Sequence, residues 1–123
     1  MVTLYERVGG LPFFERLVDH FYDAVAADPV LIRLYPKPDD LSEARRHLTL
    51  FLVQYWGGPT TYSDERGHPR LRMRHAPFAI GLDERDHWLR AMRAAVDSLG
   101  PEPGVRMELE SYFDIAAEAM RNT

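Results

Sequence analysis

Helical spacing of apolar residues constrains this chain more than any other feature. Residues 12–27, PFFERLVDHFYDAVAA, put Phe14, Leu17, Val18, Phe21, Tyr22 and Val25 on one face, the pattern of an amphipathic helix that must bury that face against other elements. Gly9-Gly10 break the chain before it, and Pro12 suits a first-turn position where a missing N–H costs nothing. Asp28-Pro29 closes it, because a residue before proline avoids the α region. A second stripe, Leu41, Ala44, Leu48, Phe51, Leu52 and Tyr55, is opened by an Asp40/Glu43 capping box and ends at Trp56-Gly57-Gly58-Pro59. Asp83 is expected to cap a third helix with Trp88, Leu89, Met92, Val96 and Leu99 inward, stopped by Gly100-Pro101. A fourth, about 103–121, buries Val105, Leu109, Tyr112, Phe113, Ala116 and Met120.

Between these lie a short apolar piece, Val30 to Tyr35, and an aperiodic stretch, 59–70, long for a loop in a compact domain and so a candidate for function. RLRMRH at 70–75 alternates like a strand, but one isolated strand cannot form a sheet. The expected class is all-α, as a single domain over 1–123, since 123 residues suit one core. No run of apolar residues is long enough to span a membrane. The opening MVTLYERVGG has no secretory-signal pattern, so a cytoplasmic location is expected.

Cysteine is absent, which excludes disulfides, thiolate metal sites and cysteine nucleophiles. Net charge is −4, an unusual balance for a nucleic-acid binder. Basic charge is nonetheless concentrated in RGHPRLRMRHAPF, where Arg66, Arg70, Arg72 and Arg74 precede His75 and an apolar run from Ala76 to Ile80. An imidazole against an apolar wall, beside guanidinium groups suited to carboxylates, matches the needs of haem: an axial nitrogen, a greasy slot and partners for propionates. The same residues taken singly also fit a packed histidine and a solvated charged loop. Glu84-x-x-His87 is one copy of the element that di-iron bundles use twice. No nucleophile elbow or phosphate loop is present. From residues alone three readings stand: a haem protein, a cofactor-free helical module docking an acidic partner on the arginine strip, and a non-haem di-iron carrier.

LYERVGG, FYDAVAADPVL, LYP, FLVQYWGGPTTYSDERGHPRLRMRHAPFAIG and RDHWLRAM together resemble the truncated, two-on-two haemoglobins of group II, over nearly the whole chain. The resemblance implies a shortened globin fold, a two-on-two helical sandwich around haem b, with 12–27 paired to 41–56 and 83–99 to 103–121. It implies His75 as the iron ligand. It places Tyr22, Tyr35 and Trp88 around a diatomic guest and Ala44 and Leu48 beside the open coordination position. Phe51, Leu52 and Phe78 would pack on the macrocycle, while Arg72, Arg74, Tyr62 and His47 would reach propionates; His47 stands where a longer basic residue is common. Expected partners are O₂, NO or CO and an electron donor of unspecified identity, without nucleic acid or membrane, in a monomer or homodimer. Oxygen transport, NO dioxygenation or peroxidase-like chemistry would all be compatible.

Overall fold

The computed structural model describes residues 2–123. Its elements, in order, are α1 (Leu4–Arg7), α2 (Leu11–Ala26), α3 (Pro29–Ile32), α4 (Ser42–Tyr55), α5 (Thr61–Arg66), α6 (Leu71–His75), α7 (Leu82–Leu99) and α8 (Pro103–Met120). The four long helices are those expected from periodicity. α2 packs on α4, α7 on α8, and α2 also crosses α7, so two helix pairs face one another. No strand occurs among the described residues.

The core follows the α2 stripe: Phe14, Leu17, Val18, Phe21 and Val25 are fully buried, against Met92 and Val96 of α7 and Val105 and Leu109 of α8. Burying a side chain of this size stabilises by about 1.5–3 kcal/mol.

Helix ends depart from expectation in two places. Asp40 is not the cap of α4: the cap residue is Leu41, and the Asp40 carboxylate accepts from the Ser42 N–H at 3.0 Å and the Ser42 hydroxyl at 2.6 Å. A short carboxylate reaches the amide two residues on most readily, which moves the helix start one step along. Glu43 instead faces Lys37, 3.6 Å away. Asp83 is not the cap of α7 either. Gly81 occupies that place, with Glu84 reaching back to accept its N–H at 2.7 Å.

The far end of α4 behaves as read. Gly58 N–H reaches the Val53 carbonyl at 2.8 Å and Gly57 N–H the Gln54 carbonyl at 3.3 Å, the two bonds of a Schellman turn. Gly57 has φ +99°, and a Cβ on Gly58 would lie 2.6 Å from Val53 and 2.8 Å from the Tyr5 ring. The missing side chains let α1 dock there, Tyr5 N–H donating to the Trp56 carbonyl at 3.0 Å.

The aperiodic 59–70 stretch contains a short helix, α5, that no periodicity announced. Tertiary contacts create it: Gln54 of α4 bonds both the Ser63 N–H (2.9 Å) and the Ser63 hydroxyl (2.7 Å), and Arg46 forks onto Glu65 at 2.6 and 2.7 Å. RLRMRH proves helical at Leu71–His75, so its alternation is incidental.

Candidate functional site

A cavity of about 310 Å³ opens between the helix pairs, with walls that are mostly apolar. Twelve positions expected at the site line it together. They are Tyr22 from α2, Tyr35 from the corner after α3, and Ala44, His47, Leu48, Phe51 and Leu52 from α4. Tyr62 comes from α5, Arg74 and His75 from α6, then Phe78, and Trp88 from α7. Arg72 is the exception. It is exposed and points no group into the cavity wall.

His75 closes α6. Its Nδ1 lies 2.7 Å from the Leu71 carbonyl. A carbonyl only accepts, so the neutral ring carries its proton on Nδ1 and keeps the Nε2 lone pair bare, the form a metal ligand requires. Asn122, near the end of the chain, fixes the following turn: its Nδ2 donates to the carbonyls of Phe78 (2.8 Å) and His75 (3.4 Å), and its Oδ1 accepts from Ile80 N–H at 2.9 Å.

Tyr22 and Tyr35 stand at 5.7 Å between ring centroids, edge to face. Burial lifts both pKa values above the ordinary tyrosine range: Tyr22 is pushed up strongly, first by desolvation and then by Tyr35, and Tyr35 is pushed up to about 12 by desolvation. Both therefore stay protonated. Trp88 meets Phe21 and Phe113 with its ring edges, and no hydrogen bond within the described residues engages its indole N–H.

Around the arginine strip, polar groups are largely satisfied by the chain itself. Arg74 Nε donates to the Pro69 carbonyl at 2.7 Å and its terminal nitrogen to the Arg66 carbonyl at 3.3 Å. Arg66 donates to His47 Nε2 at 3.1 Å. Desolvation first, and Arg66 beside it second, hold His47 below the usual histidine range. The strip is thus a folded-back loop with Arg70 and Arg72 left outside.

The di-iron element is used otherwise. Glu84 bonds Gly81 N–H and Arg33 (2.9 Å), while His87 Nδ1 sits 2.7 Å from Asp28, which also caps α3. No group of three or more metal-binding side chains gathers anywhere among the described residues.

Sequence reasoning missed part of the wall. Tyr112, Ala116 and Met120 form one stripe of α8 facing the cavity, where core packing was expected. Leu34, Leu71, Ile80 and Arg85 join them. An apolar side chain facing a ligand and one facing a neighbouring helix carry the same periodicity, so no sequence signal separates them.

Residues 3–122 match the bacterial-like globin family. The chain belongs to that family. Among curated relatives, this globin is 42% identical to "Group 2 truncated hemoglobin YjbI" of Bacillus subtilis, over 96% of this chain and 87% of that protein. Its structure superposes on a thermostable hemoglobin from the actinobacterium Thermobifida fusca with TM-score 0.96 and 56% identity, covering 99% of this chain and 98% of that one. The group II truncated hemoglobin of Bacillus anthracis gives TM-score 0.94 and 40% identity, covering 100% and 93%. The globin is thus one of the group II truncated haemoglobins, and the two-on-two sandwich is its fold.

The residues present fit a haem. The cavity offers an imidazole in the correct tautomer, a mostly apolar slot, and side-chain donors without acidic groups among the twelve expected lining positions. Glu84, the acid that does touch the wall, is neutralised by Arg33.

Proposed function

We propose that this globin holds haem b through His75 Nε2 and retains O₂ by hydrogen bonds from Trp88 and the Tyr22–Tyr35 pair. Haem bound there supplies a ferrous iron that takes up diatomic gases. Everything else falls to the chain. Leu48, Phe51, Leu52 and Phe78 wall the cavity with apolar surface and keep water out, which strengthens each polar contact inside. Leu71 O holds the His75 ring in one tautomer and one orientation. Ala44 leaves room for a small guest and has no atom that could ligate metal.

Trp88 can only donate a hydrogen bond, and its N–H is free. Tyr22 and Tyr35, both protonated, bring O–H groups to the same cavity. Preorganised donors of this kind stabilise negative charge that gathers on a bound oxygen. Each is worth about 1 kcal/mol net, so two together slow release roughly tenfold or more. Retention of this kind suits redox work on O₂, NO or peroxide, fed by a separate electron donor, better than delivery.

The observation that carries this reading is the His75 tautomer, fixed in the same cavity as a free indole N–H and a protonated tyrosine pair. Hemin titration followed by O₂ release kinetics tests it. Wild-type protein should bind one equivalent and develop an intense violet band, and Trp88→Phe should release O₂ faster. Unchanged release would reduce Trp88 to packing, and failure to bind hemin would remove the reading altogether.

A further inference from the structure

Three oxidisable rings form a cluster that joins the cavity to the protein surface away from the His75 loop. Tyr112 of α8 lines the cavity. Its ring centroid is 4.2 Å from that of Tyr55, the last residue of α4, and 5.2 Å from that of Trp56. Tyr55 and Trp56 are themselves 5.0 Å apart. Tyr55 is 51% exposed, an uncommon state for a large ring at the edge of a core. Neither tyrosine hydroxyl has a hydrogen-bond partner among the described residues, so packing alone would be served as well by phenylalanine.

Tyrosine and tryptophan are the most readily one-electron-oxidised side chains in a protein without cysteine. Other candidates near the cavity lead nowhere. Tyr22 and Tyr62 are buried at 5% and 4% exposure, Tyr35 is half-buried with its ring against Tyr22, and Trp88 is walled by Phe21 and Phe113. An electron vacancy formed at any of them has no exposed ring to move to. Tyr112 alone both lines the cavity and stacks on an exposed phenol.

We propose that Tyr55 is a surface oxidation site for bulky phenolic reductants, connected through Tyr112 to peroxide reduction in the cavity. In each step Tyr55 gives one electron inward through Tyr112 and its phenolic proton to solvent. A phenol docked at the surface then returns one electron and one proton, restoring Tyr55. Two such steps supply the two electrons and two protons that turn one hydrogen peroxide into two waters, and they leave two phenoxyl radicals. The proposal rests on the haem reading above.

Hemin-loaded protein treated with hydrogen peroxide in the presence of a spin trap, then mapped by mass spectrometry, tests it. Trap adducts should appear on Tyr55. Tyr55→Phe should lose them, together with oxidation of a phenol tethered to a bead too large to enter the cavity, while O₂ binding is unchanged. Tyr112→Phe keeps its ring and leaves Tyr55 exposed, yet should also lose the Tyr55 adduct. Adducts confined to Tyr22, Tyr35 or Tyr62, an unchanged Tyr55 adduct in Tyr112→Phe, or hemin uptake with no tyrosine adduct would each overturn the route and leave the haem reading intact. Failure to take up hemin would overturn both.

Discussion

The cavity has two unequal walls. Tyr22 and Trp88 stand on α2 and α7, the long helices whose packing is the core itself. His75 ends a five-residue helix with no buried residue, entered through Arg70 at φ +45° and held from outside by Asn122. The wall on α2 and α7, the proposed donor wall, therefore takes its geometry from the same contacts that stabilise the fold, whereas the His75 wall, the proposed ligand wall, is held by loop, carbonyl and Asn122. One cavity can thus carry a rigid wall beside one with a separate, weaker support.

The largest test of that contrast is His75→Gly. Iron coordination should vanish from the spectrum and return with added imidazole, while circular dichroism shows the helices unaltered. Asn122→Ala comes next. It removes three hydrogen bonds to the Phe78, His75 and Ile80 backbone, each worth about 1 kcal/mol. Urea titration should show a loss of about 2–3 kcal/mol, and hemin should dissociate faster although Asn122 touches no ligand. If hemin loss is unchanged, the ligand wall does not depend on the chain end.

The donor wall is probed by alkali. Tyr22, Tyr35 and Tyr112 all have pKa values raised on folding, the latter two to about 12 from 10.0. The folded state thus keeps protons that the unfolded chain releases, so stability is full below pH 10 and falls as pH rises toward 12. O₂ release should stay flat from neutrality to pH 10. A break near pH 9 would mean that these hydroxyls are wetter than their burial implies. Smallest is Arg70→Gly. A non-glycine residue in the left-handed region costs about 1–2 kcal/mol, part of which glycine gives back through its own entropy in the unfolded chain. A gain of about 0.5–1 kcal/mol in thermal unfolding is expected, with the donor wall untouched.

The two walls also differ in how legible they were. Long stripes such as Phe14 to Val25 announce their helices because burial repeats every turn, and the family likeness then carries His75, Tyr22, Tyr35 and Trp88 to their positions. α5 carried no such signal, since six residues cannot show a period and Gln54 and Arg46 supply what local sequence lacks. The arginines carry another kind of signal. A row of guanidinium groups marks an anion site without saying which of them reaches it: Arg74 lines the cavity while donating to the Pro69 carbonyl, and Arg72 stays in solvent.

By itself the sequence determined the helical class, the four long helices, the glycine stop at 57–58 and, through resemblance, the family to which the chain belongs. Those follow from near-neighbour spacing and residue chemistry, which a linear chain displays. Only the tertiary structure decided that Tyr112, Ala116 and Met120 face a cavity, that Asn122 reaches across more than forty positions to secure His75, and that Tyr55 stacks on Tyr112 at the surface. Such contacts join residues far apart in the chain, and their pairing is set by how whole helices pack.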